Sequence, residues 1–414
     1  MNVIEMIAHC KQHDIPGAII SIDQAKAFDT ISHKYMRQVY KFFGFRNNFI
    51  KLLETLGNGR NACIAFEDGT YSPAFDLKCG RAQGNTSSPT EYNMGQQILI
   101  FKIELCPEIR SVYYSHFIAR PYLQRAIEYL PDPAPEPDRS DPKFRNESSF
   151  ETAKSDGFAD DNTTGTIFEF ESLNALKSNL DQFASFSGLA CNTEKTVVMQ
   201  VGHKLPISDE IAGLGFNFSN SIHILGMDID CELENLDSNF EKTVTSIKKS
   251  VDYWERYYLT LPGRINVIKS ILFPLVLYLG CFLMPSQEKL KIIQSTLDNF
   301  AVGSLNFAKK RITAPCEHGG MGLFDVENFL CGQQAGWVIK AKKTSRDNWR
   351  TSLRFHCYGN VLCAGPDLFT PAQNPILYTI SKSFSRFRQH HDLLHCNFTQ
   401  AIVINNLWRT AFSY

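Results

Sequence analysis

The stretch that decides the fold is Phe158-Ala159-Asp160-Asp161-Asn162-Thr163-Thr164-Gly165-Thr166-Ile167-Phe168. A threonine- and aromatic-rich run after an Asp-Asp-Asn corner is typical of the second arm of a β-hairpin, and a shorter first arm precedes it. Adjacent carboxylates at a tight turn repel each other, and a divalent cation would offset that repulsion. Mg²⁺ binds hard oxygen ligands such as carboxylates and substrate phosphates. The alternative is an ordinary solvated turn, since Asp and Asn are common turn formers.

A further carboxylate follows a short, nearly all-apolar run, Ala18-Ile19-Ile20-Ser21-Ile22, which ends at Asp23. Such a run predicts a buried central strand. If this strand and the hairpin share one sheet, backbone pairing would hold their carboxylates firmly. Two metal ions about 3.5–4 Å apart can stabilise both the attacking and the leaving oxygen of an in-line phosphoryl transfer. The sequence therefore predicts a two-metal site at the end of this strand.

Composition places the chain among globular proteins: of 414 residues, 43% are hydrophobic and 21% are charged, which leaves room for two or three subdomains. The net charge is -1, so a nucleic-acid partner has to be argued from local charge. Twelve cysteines without a Cys-x-x-Cys pair, and no signal peptide, predict free thiols and an intracellular protein of the nucleus or cytoplasm that is not secreted. The apolar run 271–284 is too short for a bilayer and contains Pro274 and Gly280, which predicts a core helix and no membrane partner.

Hydrophobic periodicity divides the chain into a mixed α/β part over 1–235, a helical part over 236–345 and a part of unknown role over 346–414. Prolines alternating with acids over 131–149 predict an exposed insert. Beside the hairpin, strands are predicted over 18–22, 62–66, 71–77, 196–199 and 221–230. Helices are predicted over 1–13, 33–43, 48–56, 90–105, 112–130, 171–187, 236–258, 262–279, 287–302 and 332–343.

Two helix ends carry specific signals. Ser88 is expected to cap the helix over 90–105, with Pro89 in its first turn. Gly188 is expected to end the helix over 171–187, because glycine readily adopts the left-handed conformation found there.

Five short motifs occur in order along the chain. They are Asp23 with Lys26-Ala27-Phe28-Asp29; Gly80, Gln83-Gly84 and Ser88-Pro89; Phe158-Ala159-Asp160-Asp161; Gly188-Leu189, Asn192 and Lys195-Thr196; and Ile224-Leu225-Gly226. In this order they resemble the palm motifs of reverse transcriptases, most closely those of non-LTR (LINE-type) retrotransposons. Leu261-Pro262-Gly263-Arg264 and Gly319-Gly320-Met321-Gly322-Leu323 resemble landmarks of the region behind the palm.

The resemblance implies an α+β fold: a reverse-transcriptase palm, with an antiparallel sheet and packed helices, followed by a helical thumb-like domain. It also implies that Asp23, Asp160 and Asp161 hold two Mg²⁺ ions, with Mn²⁺ as the alternative ion. The implied partners are an RNA template, a DNA primer and dNTPs.

Four further residues take their implied roles from the same resemblance. Phe28 would lie under the sugar of the incoming nucleotide and exclude a 2′-hydroxyl; the alternative is a core aromatic side chain. Gln83 and Gly84 would let the chain approach the incoming base pair; the alternative is an ordinary loop. Lys195 would neutralise or protonate the pyrophosphate leaving group; the alternative is a solvated lysine.

Local charge fits a nucleic-acid partner. Residues 241–311 contain eleven Lys or Arg residues against five acids, as expected for a helical domain that grips phosphates. Lys248, Lys249, Arg264 and Lys269 are the candidate contacts, and solvated helix faces are the alternative for any one of them.

The chain also departs from the family pattern. It begins just before the first motif, so we expect an N-terminally truncated domain that lacks the fingers. The family usually has Arg directly before Gln-Gly, whereas this chain has Ala82 there and Arg81 one residue earlier. The leading hypothesis is an RNA-directed DNA polymerase; the alternative is an inactive retrotransposon remnant that acts as a binding module. Phe28 disfavours an RNA-dependent RNA polymerase.

Overall fold

The computed structural model describes residues 2–57, 61–82, 84–112, 155–158, 161–193, 195–303, 309–314, 316–341, 353 and 365–390. These residues form two compact units, the first ending at Leu233 and the second beginning at Glu234. The division lies close to the boundary predicted at 235. The insert over 131–149 and the helix predicted over 112–130, apart from Val112, lie outside the described residues.

The first unit is built on a five-stranded sheet with the order β4-β5-β1-β6-β7, so β1 is its central strand, as predicted. The strand β1 pairs antiparallel with β5 on one side and with β6 on the other. The sheet is mixed rather than wholly antiparallel, because the short strand β7 runs parallel to β6. In chain order the strands are β1 (Pro16–Ile22), β2 (Asn61–Ala62), β3 (Phe75–Asp76), β4 (Ser155–Phe158), β5 (Asp161–Ile167), β6 (Val197–Gly202), β7 (Asn217–Phe218), β8 (Ser221–Ile224) and β9 (Met227–Asp230).

Helices cover both faces of the sheet, which explains why β1 is almost wholly apolar. The first helix lies against one face, and the absence of a side chain at Gly17 permits its close approach: a Cβ there would lie 2.6 Å from Cys10 Sγ. On the other face Ala18, Ile20 and Ile22 join a core to which the helices over 33–42, 47–57, 88–105 and 170–187 contribute. The helices of this unit are α1 (Asn2–Gln12), α2 (Ala27–Thr30), α3 (His33–Phe42), α4 (Asn47–Gly57), α5 (Ser88–Leu105), α6 (Phe170–Ser187) and α7 (Asp209–Ala212).

Three details of this unit differ from the sequence prediction. Ser88 is the first residue of α5 rather than its cap, and Ser87 holds the cap position without a side-chain hydrogen bond. The segment 221–230 is a hairpin of β8 and β9 rather than one strand. Leu225 (φ 48°) and Gly226 (φ 76°) both adopt the left-handed conformation that a tight two-residue hairpin turn requires. The predicted pair over 62–66 and 71–77 is shorter, with β2 paired to β3 and one further bridge between Ala65 and Tyr71.

The second unit is helical in its described part. Its longest helix runs from Leu261 to Gly280 and includes a π-helical segment, Ile268–Leu272, directly before Phe273 and Pro274. The segment accommodates Pro274, because proline has no N–H to donate to the preceding turn. The helices are α8 (Asn239–Trp254), α9 (Leu261–Gly280), α10 (Gln287–Val302), α11 (Lys309–Thr313), α12 (Val326–Lys340) and α13 (Pro375–His390). The short helix α11 and the last helix, α13, were not predicted.

By length and composition α9 is long and apolar enough to cross a bilayer, with a mean hydropathy of 1.3. The argument from the run 271–284 does not extend to it, because its apolar length begins at Leu261. One side of the helix, including Ile268, Leu272 and Val276, is buried in the core of the second unit. The absence of a membrane partner stays a prediction.

Candidate functional site

Asp23 is held by its backbone at the end of β1. Its N–H donates to Thr196 Oγ1 (3.3 Å), and its carbonyl accepts from the N–H of Asn192 (2.8 Å). The N–H of Ala25 donates to the carbonyl of Ala190 (2.9 Å) just beyond. Asp23 is half-buried. The loop 190–196 is therefore tied to both sides of the residue that the sequence predicts as a metal ligand.

Asp161 is the first residue of β5, directly beyond the last residue that pairs with β1. The β1–β5 ladder ends with Ile22 opposite Asn162, so the next residue on each side is Asp23 and Asp161. Two of the three predicted metal ligands are therefore the first residues beyond the last β1–β5 pair, at the ends of two neighbouring strands.

The predicted hairpin is confirmed, although its corner is narrower than expected. Phe158 at the end of β4 pairs with Asp161 at the start of β5, so only two residues join the strands. Asp161 and Asn162 belong to the strand rather than to the corner. Asp160 lies outside the described residues, as does the side chain of Asp161. Among the side chains that are described, no three His, Cys, Asp or Glu groups could hold a metal ion.

Lys195 is exposed and lies in the loop that is tied to Asp23. Its N–H donates to the carbonyl of Asn192 (3.1 Å), and Thr196, which accepts from Asp23, is the next residue. The loop also contains Cys191, whose Sγ is 3.1 Å from Thr196 Oγ1. Burial raises the pKa of the Cys191 thiol, and the nearby carboxylates Asp181 and Asp23 raise it further. The hydrogen bond with Thr196 lowers this pKa but does not outweigh burial. A neutral thiol therefore lies beside the candidate site.

Phe28 is half-buried and stacks on Tyr92, with ring centroids 4.5 Å apart and an interplanar angle of 26°. The Tyr92 hydroxyl donates to Gln24 Oε1 (2.7 Å), and Gln24 Nε2 donates to Gln96 Oε1 (3.0 Å). Gln24 follows Asp23 directly, so a buried polar network links the predicted sugar contact to the predicted metal ligand. Sequence reasoning missed Gln24, Tyr92 and Gln96. Tyr92 and Gln96 lie one helical turn apart on the buried side of their helix, but Ser88 and Glu91 on that side are also polar, so their spacing alone does not single them out.

The segment before Gln83 is fixed by a buried charge. Arg81 Nε lies 3.1 Å from Glu91 Oε2, and Arg81 Nη2 donates to the Tyr40 hydroxyl (2.9 Å). Burial raises the pKa of Tyr40, whose hydroxyl in turn donates to Glu91. The backbone N–H of Arg81 donates to the carbonyl of Phe28 (2.7 Å). Arg81 is thus engaged inside the protein and does not replace the arginine that the family has at position 82.

The other two predicted nucleotide contacts are only partly visible. Gly84 has a φ of +89° and open space around its Cα, which permits close approach of another group. Gln83 lies outside the described residues.

Asn162, opposite Ile22, is 2% exposed, and neither polar atom of its amide has a hydrogen-bond partner in the described structure.

The basic residues of the second unit fall into two groups. Lys248, Lys249 and Lys269 are exposed, as a phosphate contact requires. Arg264 instead donates from Nη1 to the carbonyl of Phe300 (2.9 Å) near the end of α10, and its guanidinium lies 5.6 Å from the centroid of the Phe300 ring. It therefore caps a helix C-terminus. These contacts argue against the phosphate role of Arg264, which stays a prediction.

No family model matches the sequence. Among solved structures, the chain is similar to a telomerase from Candida albicans in complex with the TWJ fragment of telomeric RNA (12% identity, TM-score 0.39, 96% of this chain and 53% of that one). It is also similar to the telomerase of Candida tropicalis with the same kind of fragment (12% identity, TM-score 0.37, 85% of this chain and 52% of that one) and without RNA (13% identity, TM-score 0.38, 85% and 55%). The chain spans about half the length of these proteins. Likeness at this level assigns neither family nor activity, and a LINE-type origin is not shown.

Proposed function

We propose that the chain is the palm and thumb-like part of an RNA-directed DNA polymerase related to those of LINE-type retrotransposons. The observation that supports the proposal is the register of β1 and β5: its last pair is Ile22 with Asn162, and Asp23 and Asp161 are the next residues along the two strands. A two-metal site needs carboxylates from at least two rigid elements, and a strand end facing a hairpin meets that need.

The donor chemistry fits two Mg²⁺ ions, with Mn²⁺ as the alternative. Asp23 and Asp161, together with Asp160 next to it, would supply the hard oxygen ligands that Mg²⁺ prefers. When bound, such ions supply Lewis-acid stabilisation of the oxygens in phosphoryl transfer. The hydrogen bonds that the Asp23 backbone donates to Thr196 and accepts from Asn192 fix it before any ligand arrives.

The protein's own side chains would orient the nucleotide and handle the leaving group. Phe28, braced by Tyr92, would lie under the sugar of a dNTP and leave no room for a 2′-hydroxyl. Gln83 and Gly84 would face the nascent base pair. Lys195 is exposed in the loop that contacts Asp23, where its ammonium would neutralise or protonate pyrophosphate.

The partners would be an RNA template and a DNA primer, gripped through phosphates by the exposed lysines Lys248, Lys249 and Lys269 of the second unit. Such a protein would work inside the cell, in the nucleus or cytoplasm.

Primer extension on an RNA template with dNTPs and Mg²⁺ tests this function. Asp23→Asn should abolish extension, because the change removes a ligand charge and keeps the shape. Asp14→Asn is the matched control: Asp14 lies before the other end of β1, its side chain is 80% exposed, and its left-handed backbone (φ 51°) tolerates Asn. Extension by the Asp23→Asn protein equal to that of the control would refute the proposal. Extension with rNTPs in preference to dNTPs would refute the role of Phe28.

The second candidate is a remnant that binds nucleic acid without polymerising. It is favoured by Arg81, whose internal pairing leaves Ala82 at the position where the family has an arginine. Salt-dependent template–primer binding by folded protein, with no extension under any metal, would establish this second reading.

A further inference from the structure

The end of α8 carries four aromatic residues within a short stretch, Tyr253, Trp254, Tyr257 and Tyr258. Three of them are largely in water: the exposed fractions are 49% for Tyr253, 47% for Tyr257 and 108% for Tyr258. Each aromatic side chain would bury about 150–250 Å² if it were covered, so this exposure forgoes substantial stabilisation. We call the set Tyr253, Tyr257 and Tyr258 the tyrosine platform.

Two of the three platform rings, Tyr253 and Tyr257, are ordered by contacts with each other and with Trp254. The centroids of Tyr253 and Tyr257 are 5.5 Å apart, and the Tyr257 hydroxyl donates to the Tyr253 hydroxyl (3.0 Å). Trp254 contacts both rings, at 5.6 Å from each. Trp254 also packs against the core of the second unit, which the tyrosines do not join. Trp254 therefore anchors the platform, and packing of the core does not account for the tyrosines.

Positive charge continues the platform along the same helix face. At 100° per residue, Lys242, Ser246, Lys249 and Tyr253 lie on one stripe of α8, and all but Ser246 carry a charge or a ring. Arg256 precedes Tyr257 and is exposed. The hydrogen bond to Tyr253 raises the pKa of the Tyr257 hydroxyl, and the charge of Arg256 opposes that rise, as expected for a close neighbour. The acids of this segment lie off the stripe: Glu241, Asp252 and Glu255.

We propose that the tyrosine platform is a binding site for single-stranded nucleic acid, with bases stacked on the tyrosines and phosphates held by Lys249 and Arg256. Exposed aromatic rings beside a basic groove are the usual means of binding single strands without sequence preference. A duplex offers no free base face to such rings, so the site discriminates against it. The inference rests on the proposed function and deepens it by naming single-stranded nucleic acid as the ligand of this helix. It does not depend on the metal site.

The test is fluorescence anisotropy of the full chain with labelled oligo(U), oligo(dT) and a duplex, each about 12 nucleotides long. The double variant Tyr253→Leu, Tyr257→Leu removes two of the three stacking faces, and we expect it to weaken single-strand binding about tenfold or more. The double Tyr→Phe variant keeps both rings and should bind as the unchanged protein does. Tyr278→Leu, at an exposed tyrosine elsewhere in the same unit, is the matched control.

Charge and stacking separate by salt dependence. The Leu variant should keep the slope of log affinity against log salt, whereas Lys249→Gln should lower it. Equal weakening for duplex and single strands, or no weakening, would overturn the proposal. A change of oligomeric state in sedimentation without a change in oligonucleotide affinity would also overturn it, because the face would then be a protein interface. The comparison of oligo(U) with oligo(dT) shows whether the site prefers RNA or DNA.

The two proposals fail separately. Primer extension on a preformed template–primer can still be measured with a protein that lacks the platform. The comparison of Asp23→Asn with its control does not depend on the platform. Conversely, single-strand binding by the tyrosines is measured without dNTPs or metal.

Discussion

The buried pair Arg81–Glu91 predicts a large loss of stability on a small chemical change. The two side chains are 3% and 9% exposed, so Glu91→Gln leaves the Arg81 charge buried without its counter-charge. Breaking a buried pair by removing one partner costs about 3–5 kcal/mol. In the variant the Tyr40 hydroxyl would still accept a hydrogen bond from Arg81 Nη2. Arg81 Nε makes no hydrogen bond with Glu91 in the unchanged protein, so none is lost there. We therefore expect a loss of stability at the lower end of this range, about 3 kcal/mol.

Urea unfolding can assign this loss to the correct part of the chain. All four tryptophans, Trp254, Trp337, Trp349 and Trp408, follow Glu234, so tryptophan fluorescence follows the second unit while far-UV circular dichroism follows both. With a denaturant slope of about 2 kcal/mol/M, a loss of about 3 kcal/mol lowers the midpoint of the first unit by about 1.5 M. The fluorescence transition should move much less.

A compensating variant provides the control. Arg81→Met with Glu91→Leu removes both charges and should restore most of the lost stability, because well-packed apolar replacements of buried pairs are often neutral. A midpoint for Glu91→Gln within about 0.25 M of the unchanged protein would refute the reasoning, given an uncertainty of about 10–15% in such extrapolations. A double variant as unstable as the single one would refute it as well.

The remaining predictions concern a glycine and a carboxylate. Gly80→Ala should destabilise the first unit more than Gly44→Ala does. Both residues have a positive φ, which costs about 1–2 kcal/mol for a non-glycine residue. Only at Gly80 would the new Cβ also lie 2.7 Å from the carbonyl oxygen of Asp29. Equal midpoints for the two variants in thermal unfolding would contradict this. Burial opposes ionisation of Asp237, but the Ser286 N–H and the Lys289 ammonium outweigh it and hold the pKa of Asp237 below its ordinary value. Because the folded pKa is the lower one, this contribution to stability is complete above about pH 4 and is lost as the pH falls through the folded pKa; Asp237→Asn should remove that acid dependence from the tryptophan-detected transition.

The elements around the candidate site were predictable because their signals are local. The run 18–22 is covered on both faces of a sheet and is therefore apolar except at the half-buried Ser21. The threonine-rich run after Asp161 is a strand with a tight turn before it. The helix over 375–390 also had a local signal, with Ile376, Leu377, Ile380 and Phe384 buried at helical spacing, although Ser381 and Ser383 are buried beside them and obscure the pattern.

The polar interior was not predictable, because it depends on tertiary contacts. Tyr92 and Gln96 would look like ordinary surface positions of a helix until Gln24 is known to lie against them. Arg81 is close to a predicted nucleotide contact in sequence, yet its partner Glu91 is supplied by the next helix. The turn of the β8–β9 hairpin was missed for a different reason: Leu225 adopts a positive φ that few residues other than glycine, asparagine and aspartate favour.

The two hydrogen bonds that hold the Asp23 backbone have a consequence for the length of the loop over 190–196. Asn192 and Thr196 each bond Asp23 from opposite sides, and the N–H of Thr196 also donates to the carbonyl of Asn192 (2.9 Å). A single inserted or deleted residue between them would force one of these bonds to break. Homologues and engineered variants should therefore tolerate changes of the exposed side chain of Thr193, yet reject any change in the number of residues between Asn192 and Thr196.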